Sequence, residues 1–165
     1  MNYGKINTHD IANGSGVRVS LFVSGCRNRC KGCFQPETWD FNYGQKMTTK
    51  EFDIIYKAMS SDHISGLSIL GGEPLEPENL PTVTHVARSF KIWFPNKTIW
   101  LYTGFLYEDI KDLSIMKYLD IVVDGRFIEV QKDISLTFKG SKNQRIIDVQ
   151  KSRELKKVVL WEGDE

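Results

Sequence analysis

Three apolar runs, "GLSILGGEP" (66–74), "TIWLYTG" (98–104) and "LDIVVDG" (119–125), alternate with stretches of helical spacing, and that alternation constrains the fold most. Before them, Val17, Val19, Leu21 and Val23 alternate with Arg18, Ser20, Phe22 and Ser24, the period of a strand. Thr48-Thr49-Lys50-Glu51 reads as a capping box, followed by Phe52, Ile55, Tyr56 and Met59 on one helical face. Leu80, Val83, Ala87, Phe90 and Phe94 predict a second helix, and a third is expected around Leu106 to Met116. Strand–helix alternation argues for a mostly parallel sheet with helical crossovers. The units are too few for a closed eight-fold barrel, so the expected fold class is α/β, an open, partial (β/α) barrel.

The 165 residues suit one domain that buries roughly 70% of its unfolded surface without staples. Residues 1–148 are read as that domain and 149–165 as a C-terminal extension. In the extension "QKSRELKK" is polar, "VVLW" reads as an edge strand and "EGDE" as a frayed tail. The formal net charge of +1 gives no global footprint for nucleic acid or membrane. Met1 to Ile11 is polar, neither a signal peptide nor a membrane span, so a cytoplasmic location with reduced thiols is expected.

Sites in parallel sheets lie at the carboxyl ends of the strands. Four such ends carry distinctive residues: the loop "SGCRNRCKGCF", the Gly71-Gly72-Glu73-Pro74 turn, Tyr102-Thr103-Gly104 and Asp124-Gly125-Arg126. The loop holds all three cysteines of the chain, Cys26, Cys30 and Cys33, spaced C-x3-C-x2-C. Interleaved Arg27, Arg29 and Lys31 make a poor core, and nearby cations are expected to favour thiolates. Structural zinc wants four ligands, and His9, His63 and His85 show no ligand-pair spacing to supply the fourth. An iron–sulfur cluster held by three thiolates leaves one iron open to an exogenous ligand, which implies chemistry there.

The C-x3-C-x2-C loop after a first strand resembles the signature of the radical S-adenosylmethionine enzymes. Together with "NGSGVRVSLFVSGC", "GGEPL", "WLYTGF", "VDGRF" and "GSKNQR", in order, it is similar to the activating proteins of anaerobic ribonucleoside-triphosphate reductases. Two departures stand out: Gly32 precedes the third cysteine where the broad pattern has an aromatic, which here follows as Phe34, and Ser15 replaces a common proline. The resemblance implies a [4Fe–4S] cluster on Cys26, Cys30 and Cys33, whose open iron takes the amino and carboxylate groups of S-adenosyl-L-methionine. It implies Phe34, Gly71, Gly72, Glu73, Thr103, Asp124 and Arg126 as residues around that cofactor. Glycine permits close backbone approach there, and Glu73 with backbone carbonyls would accept the ammonium. Arg126 stands where related activases more usually carry lysine.

No protein acid or base is implied beyond these ligands. A one-electron donor such as a flavodoxin or ferredoxin would supply the electron, and a glycine of the reductase would lose a hydrogen atom. Asn143, Gln144 and Arg145 resemble a late segment near the ligand. Arg27, Arg29 and Lys31 would solvate the loop or attract an acidic donor, while Trp39, Phe41 and Tyr43 would cover the cluster. Alternatives remain at this stage: activation of another glycyl-radical enzyme, radical chemistry on a small molecule, or a non-catalytic metal-binding interaction module.

Overall fold

The computed structural model describes residues 1–163. Seven strands form one sheet, β1 (Asn2–Asp10), β2 (Val17–Val23), β3 (Gln45–Lys46), β4 (Ile64–Gly71), β5 (Thr98–Tyr102), β6 (Ile121–Asp124) and β7 (Arg145–Asp148). Their order is β3-β1-β2-β4-β5-β6-β7. The four central strands run parallel, whereas β1, β3 and β7 pair antiparallel at the margins. The sheet is open, with β3 and β7 as its edges. Four helices join it: α1 (Thr49–Met59), α2 (Leu80–Trp93), α3 (Tyr107–Ile110) and α4 (Val149–Leu155).

Strand parity sorts the residues onto two faces. Val19, Leu21, Leu67, Ile69, Ile99, Leu101 and Val122 join Ile55, Met59, Val83, Val86, Ala87 and Phe90 of α1 and α2 in the main core. The opposite face carries Trp100, Ile121 and Val123, covered by Phe138, Ile146 and Trp161. It also carries a polar layer. Arg18, fully buried, donates to Ser68 Oγ, Thr98 Oγ1 and the carbonyls of Ser15, Leu67 and Thr98 at 2.8–3.1 Å. Ser20 donates to the buried Asp10 carboxylate at 2.6 Å. Both faces of β2 are covered, and its polar side chains are satisfied internally.

The capping box at α1 is present: Glu51 accepts the Thr48 N–H at 2.9 Å and Thr48 accepts the Lys50 N–H at 3.3 Å. Ile55 and Met59 are buried as expected, but Tyr56 stays half-exposed, edge-on to Trp93. At α2, Val83, Ala87 and Phe90 are buried, with Leu80 and Phe94 packed against them. The single helix expected over 106–116 is instead α3 followed by a 3-10 turn, Ser114–Tyr118. Leu113 between them is extended, which lets Ile110, Ile115 and Met116 all reach the core.

Residues 126–144 cross the face opposite α1 and α2 without a regular strand, held by a 3-10 turn at Glu129–Gln131 and a bridge between Lys132 and Ser141. Beyond β7, the "VVLW" stretch makes one bridge, Leu160 to Ile147, rather than a strand. Trp161 then packs edge-on against Trp100 at 5.1 Å. Of the expected frayed tail "EGDE", Asp164 and Glu165 lie outside the described residues. Among the described residues no helix is long and apolar enough to cross a membrane.

Candidate active site

The parallel strands β2, β4, β5 and β6 deliver their carboxyl ends to one cavity of about 530 Å³. Cys26, Cys30, Cys33, Phe34, Gly71, Gly72, Glu73, Thr103 and Arg126 all line it. Asp124, the remaining residue expected there, does not. Strand parity turns it to the other face, where it is fully buried and accepts from the Tyr107 N–H at 2.8 Å and Arg145 at 2.5 and 3.0 Å. Arg145 also bonds Glu108 at 2.6 Å, so it too is turned from the cavity. Gln144 lines the cavity and donates to the Gly125 carbonyl at 3.0 Å, and Asn143 donates to the Arg126 carbonyl at 2.8 Å. These two amides hold the turn that carries Arg126.

The cysteine loop is anchored to the turn after β4. Gly72 and Glu73 donate their N–H groups to the carbonyls of Val23 and Gly25 at 2.7 and 2.8 Å. Gly71 has φ +107°, and a Cβ there would lie 2.6 Å from the Val23 backbone; at Gly72 it would lie 2.7 Å from the Gly25 carbonyl oxygen. Both glycines are therefore required by the close approach of two chain segments, whatever ligand the turn meets.

Glu73 is 1% exposed, and its carboxylate accepts four hydrogen bonds. The donors are Asn28 Nδ2 at 3.2 Å, the Leu75 N–H at 2.9 Å, Thr103 Oγ1 at 2.9 Å and the Gly104 N–H at 2.6 Å. It thus ties the cysteine loop, the β4 exit and the β5 exit together. Burial pushes the carboxyl above its ordinary range, against the pull of these donors.

Two partners in this corner escaped the sequence reading. Glu76 accepts the Arg27 N–H at 2.9 Å. Asn79, 1% exposed, donates to the carbonyls of Ser24 and Glu73, both at 3.0 Å. Asn79 is the N-cap residue of α2 but makes no side-chain cap: its backbone is helical rather than extended, and its Nδ2 donates to the loop instead. The visible signal was the three-residue spacing Glu73, Glu76, Asn79, which puts polar groups on one side of a helical turn.

The expectation that the loop's cations favour thiolates is corrected. Burial pushes the Cys26 thiol up to about 11, and it raises Cys30 as well, although Arg126 pulls Cys30 the other way. Arg27 is clamped on Glu78 at 2.6 and 2.8 Å, Arg29 lies over the Trp39 ring at 5.4 Å, and Lys31 is 3.9 Å from Glu129. Cys26 and Cys30 accordingly start protonated, and metal loading there must release protons. Trp39 and Phe41 lie along another, more open cavity of about 700 Å³ that shares Cys26 with the first. Tyr43, 39% exposed, packs against Gly4. The Phe34 ring meets Phe127 at 4.9 Å. Gly32 has φ +74° and a Cβ would meet the Glu129 side chain at 3.0 Å, which explains why no aromatic stands before Cys33.

Does the donor set fit an iron–sulfur cluster with a bound cofactor? Three free thiols face one cavity. Among the described residues no three His, Cys, Asp or Glu side chains converge on a single ion. A cluster is ligated at separate iron atoms, so its thiolates embrace a larger body than one ion. Tyr102 also lines the cavity, and its buried hydroxyl has no hydrogen-bond partner among the described residues. Soft donors and room together fit the group.

An open parallel sheet with a three-cysteine loop at its carboxyl edge defines a single-cluster iron–sulfur domain. Residues 12–147 match the family model described as a 4Fe-4S single cluster domain. Among curated relatives, the anaerobic ribonucleoside-triphosphate reductase-activating protein of Enterobacteria phage T4 is 40% identical over 146 residues, 88% of this chain and 93% of the relative. The protein of the same name from Vibrio cholerae is 39% identical over 150 residues, covering 88% and 97%. That from Escherichia coli is 36% identical over 148 residues, covering 87% and 96%. The chain belongs to this family of reductase-activating proteins.

Proposed function

We propose that the protein activates an anaerobic ribonucleoside-triphosphate reductase by generating a glycyl radical on it. The observation that carries this reading is the shared cavity: three thiols from one strand exit, a double-glycine turn from the next, and Arg126 from a fourth. Cys26, Cys30 and Cys33 would hold a [4Fe–4S] cluster, and the other residues lining the cavity would take S-adenosyl-L-methionine. When bound, that pair supplies reductive cleavage of a carbon–sulfur bond and a radical able to take hydrogen from a glycine α-carbon.

The chain's own residues bind, orient and exclude water. Gly71 and Gly72, which line the cavity, would offer backbone carbonyls to the ammonium of the cofactor. Glu73, with both oxygens engaged, acts chiefly by holding three strand exits in register. Phe34, packed on Phe127, shields one side. Thr103 supports Glu73, and Arg126 brings positive charge to the cavity wall. Asp124 contributes from behind, fixing the β6 exit through Arg145. We take residues 1–148 as the activase unit, arranged as a partial barrel whose unclosed side admits a polypeptide substrate, with the remainder packed on it as an extension. The activase works in the cytoplasm with a flavodoxin- or ferredoxin-type donor.

The test is anaerobic. Reconstituted protein, S-adenosylmethionine, a strong reductant and the reductase from the same source are mixed, and the glycyl radical is sought by electron paramagnetic resonance while 5′-deoxyadenosine is assayed. A glycyl signal with deoxyadenosine is expected. Deoxyadenosine alone would redirect the substrate assignment. Neither product from a protein with an intact cluster would overturn the reading.

A further inference from the structure

We propose that Trp161, in the C-terminal extension, is a positioning residue for the cofactor cavity: it clamps Phe138 against Trp100 and so fixes the stretch of cavity wall formed by residues 138–140. The inference rests on the function proposed above. It concerns a part of the chain beyond the family match, which ends at residue 147.

Strand parity in β5 turns Ile99 and Leu101 to the core beneath α1 and α2, and Trp100 to the opposite face. Trp100 is nonetheless 1% exposed, so that face must supply its cover. The Arg18 guanidinium lies over its ring at 5.6 Å. Phe138 and Trp161 meet it edge-on at 5.4 and 5.1 Å, and their own rings are 6.0 Å apart. Edge-to-face contacts are directional, so each ring constrains the other two.

The backbone delivers Trp161 to that place. α4 ends at Lys156, whose φ of +55° turns the chain back alongside β7. The Asp148 N–H donates to the Val159 carbonyl at 2.9 Å, and the Trp161 N–H donates to the Ile146 carbonyl at 2.9 Å. Ser152 Oγ accepts the Val159 N–H at 2.9 Å and pins the returning chain to α4. The extension thus runs antiparallel along the sheet edge, with its indole against Trp100 and Phe138.

Phe138 carries the effect into the cavity. Its φ is +64°, a left-handed conformation that a bulky residue keeps only where its surroundings fix it. The two indole rings supply that constraint. Phe138, Lys139 and Gly140 all line the cavity. At Gly140 a Cβ would meet the Phe34 and Phe127 rings at 3.0 and 3.2 Å, so this wall abuts the aromatic residue that follows Cys33. Trp161 does not itself line the cavity, and its influence passes through Phe138. Without the indole, Phe138 is free to relax to an ordinary φ, and the wall moves with it.

The test measures iron and sulfide content and the S-adenosylmethionine dissociation constant of loaded, anaerobic protein. Trp161→Ala should keep the parent's iron and sulfide yet raise the dissociation constant about tenfold, within the range of coupling between side chains that touch. Trp161→Phe should recover most of the affinity; if it recovers none, a ring clamp is not the device. In a Phe138→Gly background the ring is gone and glycine accepts the left-handed backbone, so Trp161→Ala should change affinity by less than about twofold. Val86→Ala, in the core on the other face, controls for general loosening and should leave affinity at the parent's value.

An unchanged dissociation constant in Trp161→Ala would overturn the proposal, as would a full tenfold loss in the Phe138→Gly background or an equal loss in Val86→Ala. Loss of iron and sulfide would make Trp161 a requirement of the cluster rather than of the wall, and would overturn it too. Should Trp161→Ala fail to fold, Trp161→Leu is held to the same criteria. A loaded parent that binds no S-adenosylmethionine would defeat the proposed function, and this inference with it.

Discussion

The cysteine-loop corner and the segment that crosses the cavity mouth meet at the same site but are built in opposite ways. In the corner, Glu73 and Asn79 are 1% exposed, and their polar atoms are matched to backbone groups of neighbouring loops. Across the cavity, Val130 and Ile134 are 93% exposed and touch no core. A wall that must hold a reactive group at fixed geometry gains from satisfied buried polar bonds, which specify one arrangement. A segment held by its backbone and a few buried rings can leave single apolar side chains in water at little cost. The difference separates a wall built of matched polar groups from one braced mainly through its main chain.

The largest break in this contrast is at the ligands. Cys30→Ala should abolish cluster assembly, read as loss of bound iron and sulfide and of all radical formation. Retention of full iron content would remove Cys30 from the ligand set.

Next in size is Glu73→Ala. It strands the N–H groups of Leu75 and Gly104 and frees Thr103 and Asn28, so unfolding in urea should show a loss of about 3 kcal/mol. Cofactor affinity should fall with it, since the double-glycine turn loses its tie to β5. If Glu73→Gln restored stability but not affinity, the carboxylate would have a direct role at the ammonium.

Asn79→Ala tests the same corner more gently. It leaves the Ser24 and Glu73 carbonyls without the amide donor, an expected loss of about 1–2 kcal/mol by denaturant titration. An unchanged midpoint would mean that water replaces the amide freely, and the corner would be looser than its bonds imply.

How far the sequence disclosed this contrast depends on which physical signal each part carries. The β2, β4, β5 and β6 strands and the two long helices were legible because local periodicity and tertiary burial agree there. β1 was not, since "NYGKINTHD" has no strong alternation and is held by pairing with β2. The cysteines and the double glycine were legible because their spacing is chemical. Asp124 misled because its strand-end position was plain while its face was not: Val122 and Asp124 share the parity that points toward the helices. Glu76 and Asn79 were passed over because polar residues in a turn usually meet water, and only the fold reveals that these meet backbone. The exposed aliphatics could not be read at all, because exposure is a property of what surrounds a residue.

The smallest expected effect sharpens the comparison most. Val130→Ser removes two methyl groups that are already in water, so stability should change by less than about 0.5 kcal/mol. The same kind of truncation at Leu101, fully buried in β5, should cost about 2–5 kcal/mol as Leu101→Ala. Both values come from the same denaturant experiment, with Leu101→Ala as the internal standard for a covered aliphatic. If Val130→Ser were destabilising by 1 kcal/mol or more, Val130 would be packed in solution, and the uncovered wall would be a closed one. A negligible change confirms Val130 as a solvated side chain that the fold does not need for its stability.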